Sequence, residues 1–477
     1  MDVRYKRLGL NTFLVFIGRA GSALIGMIML PFYTNWLSPE EYGTYDLVYT
    51  YSLIILGVAT CSISDSIFIY PKTSDTDGKK QYFTSGLAFS IVTMVFCGFT
   101  LWGLSELLKD KVKDYIIFQM TWIVIGMVAS SFLELYIQSF TRAIDQMRVY
   151  GFTGIVQTLS IAVFSLILIP KLGLNGYFIS LITANFVAAA FSFTCSKSYR
   201  YINWKSYDSN ALKELLKYGI PLVPSGIMWW LVNGFNKPII ESEIGLAELG
   251  IFAVANKFPA LITLLFSIFA NAWGITMLEE FGKPDFNHFF NKTTKFLFFI
   301  MVMAGCILSS LSYPLILIIT EPSYINAWIY IPLLIIGVII QNFAGIVGGV
   351  FSAMKQSKYI LYSSIYGGIA SVVFTIVFIK LWGLSGVCIS IAASFLVMSI
   401  VRLIYAWKYI NLLDLRYLFI LLLTLIGYVV FVIGDFNPII SVLFQIVIII
   451  IMILFNYTYV NSVITIVRNR IHKIKSK

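Results

Sequence analysis

Along this chain the apolar positions come in long blocks separated by short polar or charged stretches. Runs of roughly 18–25 residues recur from end to end, each long enough to cross a ~30 Å hydrocarbon core as a helix. Block by block they predict about fourteen spans, near 9–34, 42–68, 82–105, 115–138, 151–169, 174–195, 217–241, 248–272, 294–319, 325–350, 359–379, 384–406, 416–434 and 437–464. The fold class is therefore all-α, a polytopic membrane protein.

Composition agrees. The 477 residues are 59% hydrophobic and only 12% charged, with a mean hydropathy of +0.86, whereas a soluble protein would be about a quarter charged. In such a chain the net charge of +11 speaks to topology, because cytoplasmic loops accumulate Lys and Arg. Counted over the predicted loops, 26 cations fall on the side of the N-terminus and 5 on the other. Arg402 is counted with the former group. This places both termini in the cytoplasm. The first apolar run continues past Gly21, Ser22 and Ala23 and is longer than the core of a cleaved signal, which is about 7–15 residues. It reads as an uncleaved span. The five cysteines show no paired spacing and the two histidines offer no ligand set, so no metal is expected. No phosphate loop, dinucleotide fingerprint or serine elbow appears, nothing points to nucleic acid, and no cofactor is called for.

The chain also repeats itself. A shift of 210 lays Ala143 on Ala353, Gln146 on Gln356 and Arg148 on Lys358. Within the same shift Gly173, Leu174, Gly176, Ile179 and Ser180 fall on Gly383, Leu384, Gly386, Ile389 and Ser390. A shift of 207 lays Pro31, Glu41, Gly43 and Tyr45 on Pro238, Glu248, Gly250 and Phe252. The first six spans and the next six read as two copies in one orientation, a transporter arrangement with its site between the halves. The expected organisation is a six-helix lobe over 1–196, a basic cytoplasmic linker with a short interfacial helix over 197–216, a second six-helix lobe over 217–408, and two further spans with a basic tail over 409–477. Those last spans are almost uniformly aliphatic and read as peripheral and lipid-facing.

Three cations stand inside the spans, where insertion scales charge about 2.5–3.5 kcal/mol for each. Arg19 shares one helical face with Asn11 and Ser22, Lys237 follows Trp229, Asn233 and Asn236, and Lys257 follows Asn256. Each has a structural alternative: pairing with a carboxylate for Arg19, reaching to the outer interface for the lysines. Under the repeat, Arg19 corresponds to Gly226, Lys237 to Leu30, Lys257 to Thr50 and Asp46 to Ala253. The scaffold is duplicated and the buried charges are not, which favours a cationic cavity for an anionic ligand. Asp46 and Glu134 are the candidate counter-ions or coupling residues, and Asp65 reads as a solvated helix end.

Three blocks carry a resemblance: RAGSALIGMIMLPFYTNWLSPEEYGTYDL, LLKYGIPLVPSGIMWWLVNGFNKPIIE and GIFAVANKFPALITLLFSIFANAWGITMLEE. They resemble the bacterial Wzx-type flippases of O-antigen and capsule repeat units, within the multidrug/oligosaccharidyl-lipid/polysaccharide exporter superfamily. The resemblance implies a fourteen-span fold around a central cavity. It also implies an undecaprenyl-pyrophosphate-linked oligosaccharide as substrate, and a glycan polymerase and chain-length regulator as partners of the pathway. Transport of this kind would draw on a proton or sodium gradient. Arg19, Lys257 and Lys237 would hold the pyrophosphate, and Asn233, Asn236, Asn256 and Trp229 the sugars, while the polyprenyl tail stays in membrane lipid. Members of the family often have an acid–base pair where this chain has Asn236-Lys237, and the carboxylate is missing here. Two alternatives compete: a cation-coupled multidrug exporter, which would want acids in its cavity, and a membrane polymerase or glycosyltransferase, which would want larger loops.

Overall fold

A computed structural model describes residues 21–107, 116–354, 356, 358–410, 415–434 and 446–451. Arg19 and most of the expected fourteenth span lie outside the described residues.

Helix starts and stops follow local chemistry. The helix α1 over 21–36 ends before Ser38, which opens α2 (Pro39–Ala59) with a reciprocal cap. The Glu41 amide donates to Ser38 Oγ at 3.2 Å and the Ser38 amide donates to the Glu41 carboxylate at 2.9 Å, with Pro39 at the first helical position. Then follow α3 (Ile63–Thr73), α4 (Thr76–Leu107), the single turn α5 (Ile116–Gln119), α6 (Thr121–Ala143) and α7 (Met147–Cys195). After two 3-10 turns come α8 (Ser209–Gly219), α9 (Leu222–Asn233), α10 (Asn236–Glu243), α11 (Leu246–Ala255) and α12 (Pro259–Glu280). The chain continues with α13 (Phe286–Ser310), α14 (Ser312–Ile319), α15 (Ala327–Ala353), α16 (Lys358–Ala406) and α17 (Leu415–Ile433). Among the described residues eight helices are long and apolar enough to span a membrane, or nine with the bent pair α2–α3 taken as one. The 49-residue α7 and α16 each contain two of the expected spans.

The repeat is visible in backbone geometry. Gly173 has φ 56° and ψ −135°, and Gly383 has φ 56° and ψ −136°, a left-handed conformation that glycine adopts without strain. These residues turn the chain between the two spans inside α7 and inside α16. The end of α6 closes with the Gln146 amide on the Thr141 carbonyl at 3.1 Å, and the end of α15 with the Gln356 amide on the Phe351 carbonyl at 2.9 Å. The Gly43–Gly250 pair is more telling still, because the two matched helix starts touch. A Cβ on Gly43 would fall on the Leu246 carbonyl and one on Gly250 would fall on the Pro39 carbonyl. Pro39 and Leu246 are themselves matched by the shift of 207, so this contact is a local two-fold.

The chain forms two compact units. The first comprises Met1–Val254, Ile319–Tyr324 and Ser371–Val387. It holds a knot of tyrosines, with Tyr177 ring centroids 4.8 Å from Tyr33 and 4.4 Å from Tyr45, and the Tyr324 hydroxyl donates to the Leu37 carbonyl at 2.9 Å. The basic linker is fastened to the same unit. The Ser66 hydroxyl donates to the Leu215 carbonyl at 2.8 Å, and the Asn203 and Asp208 amides donate to the Thr84 and Ser85 hydroxyls at 3.1 and 2.9 Å. Leu215 of the amphipathic α8 is buried while Lys213 and Lys217 are exposed.

The second unit comprises Ala255–Ile318, Ile325–Ala370 and Cys388–Lys477, and packs α12, α13, α15 and α17 around Phe290, Phe298, Ile335 and Leu425. Here the reading of Arg402 as a loop cation is corrected. It lies within α16, 9% exposed, and donates through Nε to Ser363 Oγ at 3.0 Å and through Nη1 to the Ala344 carbonyl at 2.6 Å. A buried guanidinium is retained because these acceptors replace water.

The seventh predicted span runs through Pro221 as one helical stretch, Ser209–Asn233, and gives way at Gly234, to whose carbonyl Pro238 has no amide to donate. The eighth is continuous over Leu246–Ser267, with a turn at 256–258 just before Pro259.

Candidate functional site: the α2–α9 cavity

Within the first unit, α2 and α9 face one another across a cavity of about 350 Å³. The face that α2 presents is set by helical spacing, with Thr50, Leu53, Ile54, Gly57 and Val58 on the wall. α9 answers with Val223, Gly226, Ile227, Trp229, Trp230 and Asn233, and Lys237 closes one end. Near the other end α2 gives way to α3 at a bend of 51°, with Cys61 and Ser62 both left-handed at φ 49° and 51°. Two consecutive non-glycine residues in that region are a strained joint, held here by the packing of the α8 terminus against it.

The polar end is built around Thr50. Lys237 Nζ donates to Thr50 Oγ1 at 2.9 Å and to Asp46 Oδ1 at 3.0 Å, and stands 2.9 Å from Asp46 Oδ2. The Trp230 indole N–H donates to the Thr50 carbonyl at 3.3 Å, and the Thr50 hydroxyl donates to the Asp46 carbonyl at 2.7 Å. Gly234 permits this approach: a Cβ there would come 2.8 Å from Trp230 Nε1 and 3.1 Å from Thr50 Cγ2. The break at Gly234 thus brings Lys237 back onto α2. The lysine and aspartate side chains are only 18% and 15% exposed. Leaving one member of such a pair alone costs about 3–5 kcal/mol.

Of the candidate residues, the structure brings together Lys237, Asp46, Asn233 and Trp229. Lys237 is paired with Asp46 and does not reach for the outer interface. Asn233 Nδ2 donates to the Trp229 carbonyl at 3.0 Å, and the Trp229 ring is 57% exposed. Asn236 is buried beside Lys237, with Oδ1 lacking a hydrogen-bond partner among the described residues. Glu134 is buried in α6 and is not on the cavity wall. Lys257 is exposed and Asn256 half-buried, both in the second unit. The hub, Thr50, was missed; its signal is the i, i+4 spacing from Asp46 on an otherwise apolar α2 face.

The membrane-spanning helices thus repeat, and the second copy breaks at Gly234 beside a mostly apolar cavity with a polar end. The structure matches that of the lipid II flippase MurJ in an inward closed conformation, with a TM-score of 0.72, 14% identity, and 94% of this chain and 99% of that one covered. It also matches an inward-facing multidrug resistance MATE family transporter of the MOP superfamily, with a TM-score of 0.65, 14% identity, and 82% and 94% covered. The fold is therefore that of the MOP-superfamily transporters. Within it, the chain belongs to the family of polysaccharide biosynthesis proteins, whose model matches residues 8–273. Capsular polysaccharide biosynthesis protein CapF of Staphylococcus aureus is 23% identical over 303 residues, covering 61% of this chain and 71% of CapF.

Proposed function

We propose that this protein is a flippase that moves an undecaprenyl-pyrophosphate-linked oligosaccharide repeat unit across the bacterial cytoplasmic membrane, for capsule, O-antigen or exopolysaccharide assembly. The observation that carries the reading is the cavity between α2 and α9, where an indole, an amide and a held lysine stand in an apolar unit. Aromatic faces and amides suit sugar rings, and a positioned cation suits a phosphate oxygen. The family places the chain in polysaccharide biosynthesis, and a pyrophosphate does not cross hydrocarbon unaided.

In this account Trp229, Trp230, Asn233 and Asn236 contact the glycan. Lys237 is already compensated by Asp46, so Arg19 and Lys257, with Asn256 beside it, take the larger share of the pyrophosphate. Asp46 and Glu134 are the carboxylates through which a proton or sodium gradient would act. The two six-helix lobes expose the site alternately, with both termini in the cytoplasm, and the product passes to a glycan polymerase and its chain-length regulator.

The test is translocation in proteoliposomes of a fluorescent undecaprenyl-pyrophosphate oligosaccharide, read by quenching from outside. Wild type should expose the label at least about tenfold faster than the Lys257→Ala variant, the factor expected for one lost charge-assisted contact. Equal rates for wild type and protein-free vesicles would refute the reading. Drug export by the same vesicles would instead favour the multidrug alternative.

A further inference from the structure

A second cationic feature lies in the first unit, away from the α2–α9 cavity. The last turns of α3 and α6 and the first turn of α7 meet there. The Arg142 guanidinium carbon sits 3.6 Å from the Phe68 ring centroid and 5.6 Å from that of Tyr150. Lys72 Nζ sits 5.4 Å from the same Phe68 centroid. One ring thus gathers two cations that would otherwise repel one another.

Local structure explains why Arg142 is held. α6 ends in a Schellman turn, with the Asp145 amide on the Arg142 carbonyl at 3.2 Å, the Gln146 amide on the Thr141 carbonyl at 3.1 Å, and Asp145 left-handed at φ 63°. This stops the helix one residue after the arginine and returns the chain so that Tyr150 lies beside it. The hydrogen-bonding capacity of the guanidinium is not used up: its Nε is buried without a hydrogen-bond partner among the described residues. The ion pairs formed among those residues, Lys80–Asp77, Lys237–Asp46 and Lys283–Glu280, do not include Arg142 or Lys72. The Asp65 carboxylate lies within electrostatic reach of the Arg142 guanidinium. A ring compensates a cation by about 0.5–1 kcal/mol at an exposed site, much less than an anion would.

The repeat shows that the fold does not require this cluster. The second copy keeps the same turn, Gln356 on Phe351, yet Ser352 stands at the position of Arg142, Ile275 at that of Phe68 and Glu279 at that of Lys72. The scaffold is conserved between copies while the cations and their ring occur once.

We propose that Arg142 and Lys72, carried on the Phe68 ring, form a binding site for a phosphate-bearing lipid headgroup at the cytoplasmic ends of α3 and α6. The cytoplasmic placement and the cargo rest on the flippase reading above. The shared chemistry is a lipid phosphate, whether the pyrophosphate of the carrier or the phosphodiester of an anionic phospholipid. A guanidinium over an aromatic ring can donate from its terminal nitrogens to phosphate oxygens, and the flexible lysine adds a second charge. At the inner leaflet such a site would capture the headgroup before it reaches the cavity.

The test uses the full-length protein in nanodiscs of phosphatidylcholine, doped with undecaprenyl pyrophosphate, undecaprenol or phosphatidylglycerol, with bound lipid counted by native mass spectrometry. Wild type should retain a phosphate lipid and not undecaprenol. Arg142→Gln should weaken retention about tenfold or more, and Lys72→Gln less, as for a lost charge-assisted bond. Phe68→Leu keeps both charges and should also weaken retention, which separates the built site from general surface charge. Preference for undecaprenyl pyrophosphate assigns the site to the carrier, and preference for phosphatidylglycerol assigns it to bulk anionic lipid. Undecaprenol retained as well as the phosphate lipids, or Arg142→Gln and Phe68→Leu both behaving as wild type, would overturn the proposal. If Arg142→Gln does not fold, the exposed Lys72 and the Phe68 variant still decide. Lipid retention is read without transport, so a failure of translocation by wild type leaves this result standing.

Discussion

Two contacts between α2 and the chain that follows the linker differ in kind. At Gly43–Gly250 the matched helix starts meet through equivalent atoms, each glycine against the carbonyl four residues before its counterpart. At Asp46–Lys237, one turn along α2, the contact is one-sided. The residues matched to this pair, Ala253 and Leu30, are buried apolar side chains at 4% and 1% exposure. Duplication explains the first contact and cannot explain the second. A fold that packs alanine and leucine at one pair of matched positions does not need an ion pair at the other for its packing. Buried ion pairs are in general neutral or worse for stability against apolar replacements of similar size.

The comparison can be broken in several places. The largest effect is expected from unpairing the charges. Lys237→Met alone should leave Asp46 buried and unpaired and destabilise the folded protein by about 3–5 kcal/mol, seen as a lower melting temperature in detergent. Smaller is the effect of filling the symmetric contact. Gly43→Leu or Gly250→Leu should each cost about 3 kcal/mol, the upper end of overpacking, because the new Cβ meets a backbone carbonyl, and the two should be alike, which a denaturation series would show. A clear difference between them would mean that the contact is not two-fold in its energetics. Thr50→Val should remove an acceptor from Lys237 at about 1–3 kcal/mol without abolishing the pair. Trp229→Ala is expected to leave stability unchanged, since its ring is largely exposed. It should weaken glycan recognition by about threefold to tenfold, the worth of one ring contact, read as a raised half-saturation in the translocation assay.

Much of this was legible from residues alone. The repeat was readable because glycines at 173 and 383 are demanded by the backbone, and their φ and ψ agree to a degree. The Ser38–Glu41 cap was readable because its partners are three residues apart. Lys237 was conspicuous as a charge in an apolar run. What it touches was not, because Asp46 is 191 residues away and their meeting depends on the chain breaking at Gly234. The break at Gly234 was missed for a related reason, since apolar periodicity runs straight through it. Arg402 looked like a loop cation because its acceptors, a serine hydroxyl and a carbonyl, carry no charge to advertise them. The Arg142 cluster was hidden because Phe68 and Tyr150 come from separate helices.

On the proposed function, the Asp46–Lys237 pair serves transport and not the scaffold. The most direct measurement compares wild type with the double variant Asp46→Leu/Lys237→Met, at equal membrane levels, in melting temperature and in translocation of the lipid-linked oligosaccharide. The account predicts a melting temperature at or above that of wild type together with loss of most translocation. Wild-type translocation by the double variant would contradict it.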